Sequence, residues 1–189
     1  MKMYTRIALS FFIVTVFLSA CKEDDTLFTY ASQGIVKGTI QGTSLDTGDP
    51  VGEDFRYTQY STLEYTITHS SYAILDDGRV AITINRTDMQ TGGGIELFFA
   101  LENELDTTPD NTDVYLFYYK EYQNTLFKFE MYTSLENTVE VNDFSFNIGT
   151  GKVTGTFRME GADNSTENNA VVEGSFDVTV KKLPVYIGS

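Results

Sequence analysis

A repeated alternation of apolar and polar residues, running from about residue 34 to residue 182, restricts the fold of this chain more than any other feature. Near one hairpin, for example, Val80, Ile82 and Ile84 alternate with polar or small residues. A period of two is typical of half-buried β-strands, whereas an amphipathic helix repeats every 3.6 residues. The pattern contains no helical segment of useful length. The chain is therefore predicted to be all-β.

Turn residues divide this region into strands of similar length. Asp76-Asp77-Gly78 is expected to form a hairpin turn, because Asp tolerates left-handed backbone and Gly adopts it freely. An acidic loop is expected from Glu102 to Asp113, and residues 121–124 should join two aromatic strands. Strands are predicted at residues 63–68, 80–84, 95–101, 114–120, 125–132, 138–148, 153–159 and 172–180. Roughly eight to ten strands predict an antiparallel β-sandwich, with a closed or partly open β-barrel as the alternative.

The strand predicted at 138–148 changes phase. Val139 and Val141 share one phase, whereas Phe144 and Phe146 share the other. Because a one-residue shift moves side chains to the opposite face of a sheet, a bulge near Asn142-Asp143 is predicted to keep both pairs inward.

Two glycines of the last predicted hairpin fall in its apolar phase. Gly155 shares that phase with Phe157, and Gly174 shares it with Phe176. A missing side chain leaves room for a ring to pack across the strand, so close Phe–Gly packing is expected here.

The first 20 residues have a different pattern. Lys2 and Arg6 precede an apolar stretch from Ile7 to Leu18, which is the pattern of an export signal. The stretch is shorter than the about 20 apolar residues that a bilayer-spanning helix needs. The segment Leu18-Ser19-Ala20-Cys21 resembles the lipobox of bacterial lipoproteins. The resemblance implies cleavage before Cys21, the single cysteine, and two or three acyl chains that anchor the protein in a membrane.

Charged residues follow this cysteine directly. The segment Lys22-Glu23-Asp24-Asp25 resembles the surface-export signal of Bacteroidetes lipoproteins, which implies display on the outer face of the outer membrane. The alternative is a soluble tether on a protein that faces the periplasm. The predicted organisation is a signal peptide at 1–20, a lipidated cysteine and flexible linker at 21–33, one β-domain at 34–182 and a tail at 183–189.

The end of the chain resembles a group of proteins through two segments. Residues 151–157 read GKVTGTF and residues 173–178 read EGSFDV. These segments resemble the ending of a group of uncharacterised Bacteroidetes lipoproteins, and residues 35–40 are compatible with the first strand of that group. The motif is structural, so the resemblance implies a location and a fold but no activity.

Acidic residues outnumber basic ones throughout. The chain has 13 basic and 27 acidic residues, and removal of the signal takes away Lys2 and Arg6, which leaves 11 against 27 and a net charge of −16. Nucleic-acid binding depends on basic side chains that neutralise phosphate, so no nucleic-acid partner is expected. The lipid on Cys21 is expected to be the contact with the membrane, while the oligomeric state stays open.

Catalytic and metal-binding motifs are weak. His69 is the single histidine, and with Ser70, Ser71, Asp76 and Asp77 close in sequence a hydrolase can be imagined. The spacing matches no known catalytic motif, so a strand-end histidine with a structural hydrogen bond is expected instead. The acidic loops match no calcium-binding pattern and are expected to be solvated loop tips, so no metal and no cofactor are predicted. These loops are residues 46–49, 102–113 and 163–169.

Both faces of the strand predicted at 114–120 are apolar. Tyr115, Phe117 and Tyr119 occupy one face, and Val114, Leu116 and Tyr118 occupy the other. In a sandwich one face points outward, where aromatic rings can stack on sugars or pack against a partner protein. The candidate binding patch consists of Tyr115, Phe117, Tyr119 and Tyr122. The alternatives are packing against Phe127, Phe129 and Tyr132, or cover by the loop at 102–113.

Three classes of function follow from these features. The leading prediction is a surface lipoprotein, not an enzyme, whose β-domain binds a glycan or an outer-membrane protein. The second is a structural component of the cell envelope without a small-molecule site. The third is a hydrolase that uses His69 or acidic loop residues, which would require those groups to meet in a pocket.

Overall fold

The computed structural model describes residues 34–44, 46–58, 70–88, 93–122, 125–134 and 137–183. This part of the chain contains strands and no helix, which confirms the all-β prediction. Within these ranges no helix is long and apolar enough to cross a membrane. The strands are β1 (Gly34–Thr43), β2 (Pro50–Tyr57), β3 (Ser71–Ile74), β4 (Val80–Thr87), β5 (Gly94–Leu101), β6 (Asn111–Tyr122), β7 (Thr125–Tyr132), β8 (Thr138–Asn147), β9 (Lys152–Ala162), β10 (Asn169–Thr179) and β11 (Lys181–Lys182).

The described strands form two sheets. The first sheet has the order β2-β1-β10-β9-β8, and the second has the order β11-β3-β4-β5-β6-β7. Every pairing is antiparallel except that of the two-residue β11 with β3, which is parallel. The two sheets remain separate, so the predicted sandwich is confirmed and the closed barrel is not.

The inner faces of both sheets contribute to one apolar core. Val36 and Phe176 of the first sheet are buried there, as are Ile82 and Phe99 of the second. The rings of Phe99 and Phe176 lie 5.2 Å apart between centroids and join the two layers. Because the apolar phase of each strand points to this layer, the period-two pattern is the direct cause of the sandwich.

Two tyrosine hydroxyls link the sheets near their edges. The Tyr57 hydroxyl donates to the Phe117 carbonyl at 3.2 Å, which joins β2 to β6. The Tyr72 hydroxyl donates to the Ile148 carbonyl at 3.1 Å, which joins β3 to the end of β8. Burial raises the pKa of both tyrosines, so both hydroxyls stay protonated donors at neutral pH.

The predicted bulge in β8 is confirmed. The pairing of β8 with β9 shifts between Asn142 and Ser145, and Asp143 has a left-handed backbone with φ of 53°. Asn142 and Asp143 are both exposed, whereas Phe144 is buried. Val141 also packs against the core. The extra residue therefore returns both apolar phases to the core side.

The predicted Phe–Gly packing is also confirmed, and it is reciprocal. In the β9–β10 ladder Phe176 lies opposite Gly155, and Phe157 lies opposite Gly174. A Cβ at Gly155 would lie 2.5 Å from the Phe176 Cζ, and a Cβ at Gly174 would lie 2.6 Å from the Phe157 Cε1. Each ring therefore occupies the space that a side chain on the opposite strand would need.

Several predicted boundaries differ from the structure. The strand predicted at 63–68 lies outside the described residues, and the turn at Asp76-Asp77-Gly78 instead joins β3 to β4. The acidic loop is shorter than predicted, because residues 111–113 pair with residues 98–100 and already belong to β6. The hairpin connection after β6 is also shorter, since Tyr122 pairs with Thr125. Backbone groups can pair between strands even where the side chains are polar. The alternation of apolar and polar residues therefore did not indicate where these strands end.

Candidate functional site

The candidate patch lies on the outer face of the second sheet. Val114, Leu116 and Tyr118 point inward and are buried, so the other phase of β6 points outward. Tyr115 and Tyr132 are 44% and 46% exposed, and the remaining rings are half-buried. We call this surface the aromatic face, and it consists of Phe98, Tyr115, Phe117, Tyr119 and Tyr132.

Register brings the two most exposed rings side by side. Tyr115 on β6 lies opposite Tyr132 on β7 and opposite Glu96 on β5. The Tyr115 hydroxyl donates to the Glu130 Oε1 at 3.1 Å. Partial burial, then the hydrogen bond and charge of Glu130, raise the pKa of Tyr115. Tyr115 is therefore a neutral ring fixed in orientation by a neighbouring strand.

Three carboxylates border the aromatic face. Glu96 accepts a hydrogen bond from the Asn85 side chain at 3.1 Å, and Asp113 accepts one from the Asn111 side chain at 3.3 Å. Glu130 is the third. In the described part of the chain none of the three forms an ion pair with a lysine or arginine. The face therefore combines exposed rings with three carboxylates that have no ion-pair partner among the described residues.

The outer face of the first sheet has a different chemistry. Arg158 bridges Glu160 at 2.9 Å and Glu173 at 3.1 Å, and Lys152 bridges Asp177 at 3.3 Å. Such exposed ion pairs contribute little stability, but they give this surface charges of both signs and keep it well hydrated. The aromatic rings that point outward are thus concentrated on one side of the sandwich.

The hollow on the aromatic face is small. A hollow of about 160 Å³ lies between the rings and carboxylates and is lined mainly by Glu96, Phe98, Asp113, Tyr115 and Tyr132. Small-molecule pockets usually enclose about 300 to 1,000 Å³. A larger depression of about 590 Å³ lies over β1, β2 and β10, but its lining has no aromatic ring and one carboxylate, Glu160. The geometry of the aromatic face is that of a contact surface rather than of an enclosed cavity.

Sequence reasoning missed a buried arginine. Arg86 is fully buried on the inner face of β4, and its Nη1 donates to the Ser70 Oγ at 2.7 Å and to the Asn85 carbonyl at 2.8 Å. Burial lowers the pKa of Arg86 to about 10. In the sequence, Arg86 continues the apolar alternation of Ile82 and Ile84. A charged residue at a position expected to be apolar was the signal that could have identified the buried arginine.

Ser70 and Asp77, which the hydrolase alternative would use, do not lie together in the described structure. The Ser70 hydroxyl is buried and holds Arg86 and the backbone of Asn85. Asp77 lies beyond the other end of β3, where it is exposed and pairs with Arg79 at 2.7 Å. His69 lies outside the described residues. That the chain is not an enzyme stays a prediction.

A second cluster that sequence reasoning missed joins β2 to β6. The Lys120 Nζ lies 2.6 Å from the Glu53 Oε2, and the Tyr118 hydroxyl donates to the same oxygen at 3.3 Å. Burial, then the negative charge of Glu53, raises the pKa of Tyr118 to about 12. The cluster connects the sheets beside the Tyr57 hydrogen bond, so its role is structural.

The expectation of a solvated loop at 163–169 is wrong for its first residue. Asp163 is buried, and its carboxylate accepts hydrogen bonds from the Glu130 amide, the Ser165 amide and the Thr166 hydroxyl at 3.0, 2.9 and 2.8 Å. The Asn164 amide donates to the Glu130 carbonyl at 2.8 Å. The carboxylate is buried because it completes the hydrogen bonds at the edge of β7. Among the described residues, no group of three or more acidic, histidine or cysteine side chains is arranged to hold a metal ion.

The remaining predicted site residues lie outside this description. Cys21 and the segment Lys22-Glu23-Asp24-Asp25 precede the described ranges. Tyr122 ends β6, but its side chain is not described. The structure thus places three of the four patch residues, Tyr115, Phe117 and Tyr119, on one outward face.

Fold and site together define a two-sheet β-sandwich with one ion-paired outer face and one aromatic outer face. No family model, curated protein or solved structure matches the chain.

Proposed function

We propose that this chain is a lipid-anchored lipoprotein of the bacterial outer membrane whose β-domain binds a ligand or partner, without catalysis, through the aromatic face. The observation that carries the proposal is the exposure of Tyr115 and Tyr132 on directly paired strands. Large rings that could be buried are instead presented to solvent side by side. Contiguous exposed apolar surface on a soluble domain is typical of an interaction site.

The structural-component alternative predicts aromatic side chains that are exposed singly. Tyr115 and Tyr132 are neighbours across the β6–β7 ladder, and Phe117 and Phe98 adjoin them on the same face. The hollow of about 160 Å³ on this face is small for an enclosed metabolite, so a sugar chain or a protein surface suits it better. These points favour the binding role over the structural one.

The anchor and the location are proposed from the sequence. The positive, apolar and small-residue pattern that ends at Cys21 supports lipidation. The lysine and three acidic residues after it support display on the cell exterior. A lipid anchor at residue 21 followed by a linker to residue 33 would hold the sandwich close to the membrane while leaving its outer faces accessible.

Surface display is tested by protease treatment of intact cells. We expect protease added from outside to remove the protein while a periplasmic marker survives. A variant in which Lys22, Glu23, Asp24 and Asp25 are all replaced by alanine should become protected, because the proposed address is lost. Full protection of the natural protein would contradict surface display and favour the periplasm-facing alternative.

Binding at the aromatic face is tested by photo-crosslinking in the same cells. A benzoylphenylalanine at position 115 or 132 retains an aromatic side chain and reacts on illumination with whatever lies against it. We expect light-dependent adducts, protein or glycan, at both positions. The matched control is position 39, which is exposed on the outer face of the first sheet. Equal adducts at position 39, or none at 115 and 132, would contradict the proposed binding face.

A further inference from the structure

The charges around the aromatic face identify the chemistry of its partner. The outward side chains of β4 to β7 that the structure describes include three carboxylates, Glu96, Asp113 and Glu130, and one base, Lys128. The three carboxylates form no ion pair within the described part of the chain. On the opposite side of the molecule, the outward carboxylates Glu160, Glu173 and Asp177 do pair with arginine or lysine. The described side chains of the aromatic face therefore carry more negative than positive charge, and a basic partner can neutralise the excess.

The chain itself shows how a cation sits on this face. The Lys128 Nζ lies 5.9 Å from the centre of the Phe117 ring, within the range of a cation–π contact. Tyr115 and Tyr132 are more exposed than Phe117, and no cation of the described residues covers them. Tyrosine rings attract cations through their negative faces in the same way. The two tyrosines therefore offer unoccupied positions of the kind that Lys128 fills on Phe117.

We propose that the aromatic face binds an arginine-bearing polypeptide segment, an inference that rests on the proposed binding function. A guanidinium group is planar, stacks on an aromatic ring and can bond a carboxylate with two parallel donors. Tyr115 lies between Glu96 on one neighbouring strand and Tyr132 on the other. One arginine stacked on Tyr115 would thus have a carboxylate beside the ring.

The dimensions of the face suit an extended segment. The row from Glu96 through Tyr115 to Tyr132 crosses two strand spacings, about 10 Å. Asp113 and Phe117 are four residues apart on β6, which separates them by about 13 Å. Several cationic side chains of one peptide can occupy such an area, whereas a single small amine would reach one carboxylate.

Other partners fit the charge less well. A neutral sugar would stack on the rings but leave the three carboxylates without opposite charge. An anionic glycan or lipid headgroup would be repelled by these carboxylates and by the acidic β5–β6 loop, in which residues 102–110 include four acidic side chains and no basic one. A basic polypeptide can both stack on the rings and neutralise the carboxylates.

The test uses the mature lipidated protein in detergent and isothermal titration calorimetry. The probe is a capped peptide that alternates glycine and arginine, and the matched peptide carries citrulline in place of arginine. Citrulline keeps the shape of the side chain and removes its charge. We expect the arginine peptide to bind and the citrulline peptide to bind at least about tenfold more weakly.

Variants locate the binding. We expect a loss of about tenfold when both exposed tyrosines become alanine, and little change in Tyr115→Phe, which keeps the ring. A similar loss is expected when the three carboxylates of the face are neutralised with the folded structure retained. That variant is Glu96→Gln, Asp113→Asn and Glu130→Gln. The matched control neutralises three carboxylates on the first sheet and should change affinity less than about twofold. The control is Glu160→Gln, Glu173→Gln and Asp177→Asn.

Failure of the arginine inference can be distinguished from failure of the proposed binding function. Equal losses in the two neutralised variants would mean nonspecific attraction to an acidic protein and would overturn the inference. So would absence of arginine-peptide binding, or binding of neutral oligosaccharides in its place, even if adducts form at positions 115 and 132. Absence of those adducts together with absence of peptide binding would overturn both proposals.

Discussion

Replacement of Cys21 by alanine should release this protein from the membrane almost completely. The lipid is the proposed contact with the bilayer, and each buried methylene of an acyl chain contributes about 0.8 kcal/mol to binding. The net charge of −16 on the chain after the proposed cleavage provides no attraction to an anionic membrane surface. Fractionation of cells by ultracentrifugation, with radiolabelled palmitate to report lipidation, measures the effect.

The design must prevent the export signal from acting as an anchor. Residues 1–20 are therefore replaced by a signal with an ordinary Ala-x-Ala cleavage site, so that the Cys21→Ala chain is exported and cut without lipid. The natural chain and a Lys22→Ala variant, both with Cys21 intact, should remain labelled and membrane-bound. Retention of the unlipidated chain in the membrane fraction would contradict the proposed anchor.

Filling the space at Gly155 is expected to destabilise the core. A Cβ at this position would lie 2.5 Å from the Phe176 Cζ and 3.2 Å from the Asn142 carbonyl oxygen. Gly155→Ala should therefore lower the free energy of unfolding by about 1–3 kcal/mol, because the ring must leave its place in the core. Denaturant titration followed by circular dichroism measures the change.

Two further variants distinguish this mechanism from a general cost of alanine in a strand. Gly52→Ala is the matched control, since a Cβ at Gly52 has no heavy atom within 4 Å, and its stability should change by less than about 0.5 kcal/mol. Phe176→Leu removes the atoms that clash, so the double variant with Gly155→Ala should be more stable than the sum of the single losses by about 0.5–3 kcal/mol. Additive losses would show that the ring and the glycine are not coupled.

Local features of the fold could be predicted because they follow from the order of apolar and polar residues within individual strands. The bulge at Asn142-Asp143 follows from a shift of apolar phase, and the packing of Phe176 on Gly155 follows from a glycine in that phase. Both are confirmed. Such features depend on a strand and its nearest neighbours, which sequence order in an antiparallel sheet largely defines.

Features that depend on distant segments could not be predicted in the same way. Arg86 is held by Ser70, 16 residues earlier, and Lys120 pairs with Glu53, 67 residues earlier. Asp163 completes the edge of β7 only because the β9–β10 connection reaches that strand. None of these contacts leaves a periodic signal, since each depends on how the sheets and loops are arranged in space.

Part of the candidate site could be predicted from the sequence. Both phases of β6 are apolar, so the sequence identifies Tyr115, Phe117 and Tyr119 as one face but cannot decide whether that face points inward. The decision depends on the partner sheet, which packs on Val114, Leu116 and Tyr118. The pairing of Tyr115 with Tyr132 and the three carboxylates around them required the register of β5, β6 and β7.

The capping of β7 by Asp163 and Asn164 has a consequence for the proposed tethering of this protein to a membrane. Lipid-anchored molecules share a thin layer, where neighbours meet far more often than in dilute solution. An open strand edge in that layer would invite sheets of adjacent molecules to join into a continuous ribbon. The cap occupies the Glu130 amide and carbonyl at the edge beside the aromatic face. Under the proposed anchoring and binding, crowded copies would present their rings to a partner while this part of the β7 edge stays closed to neighbouring copies.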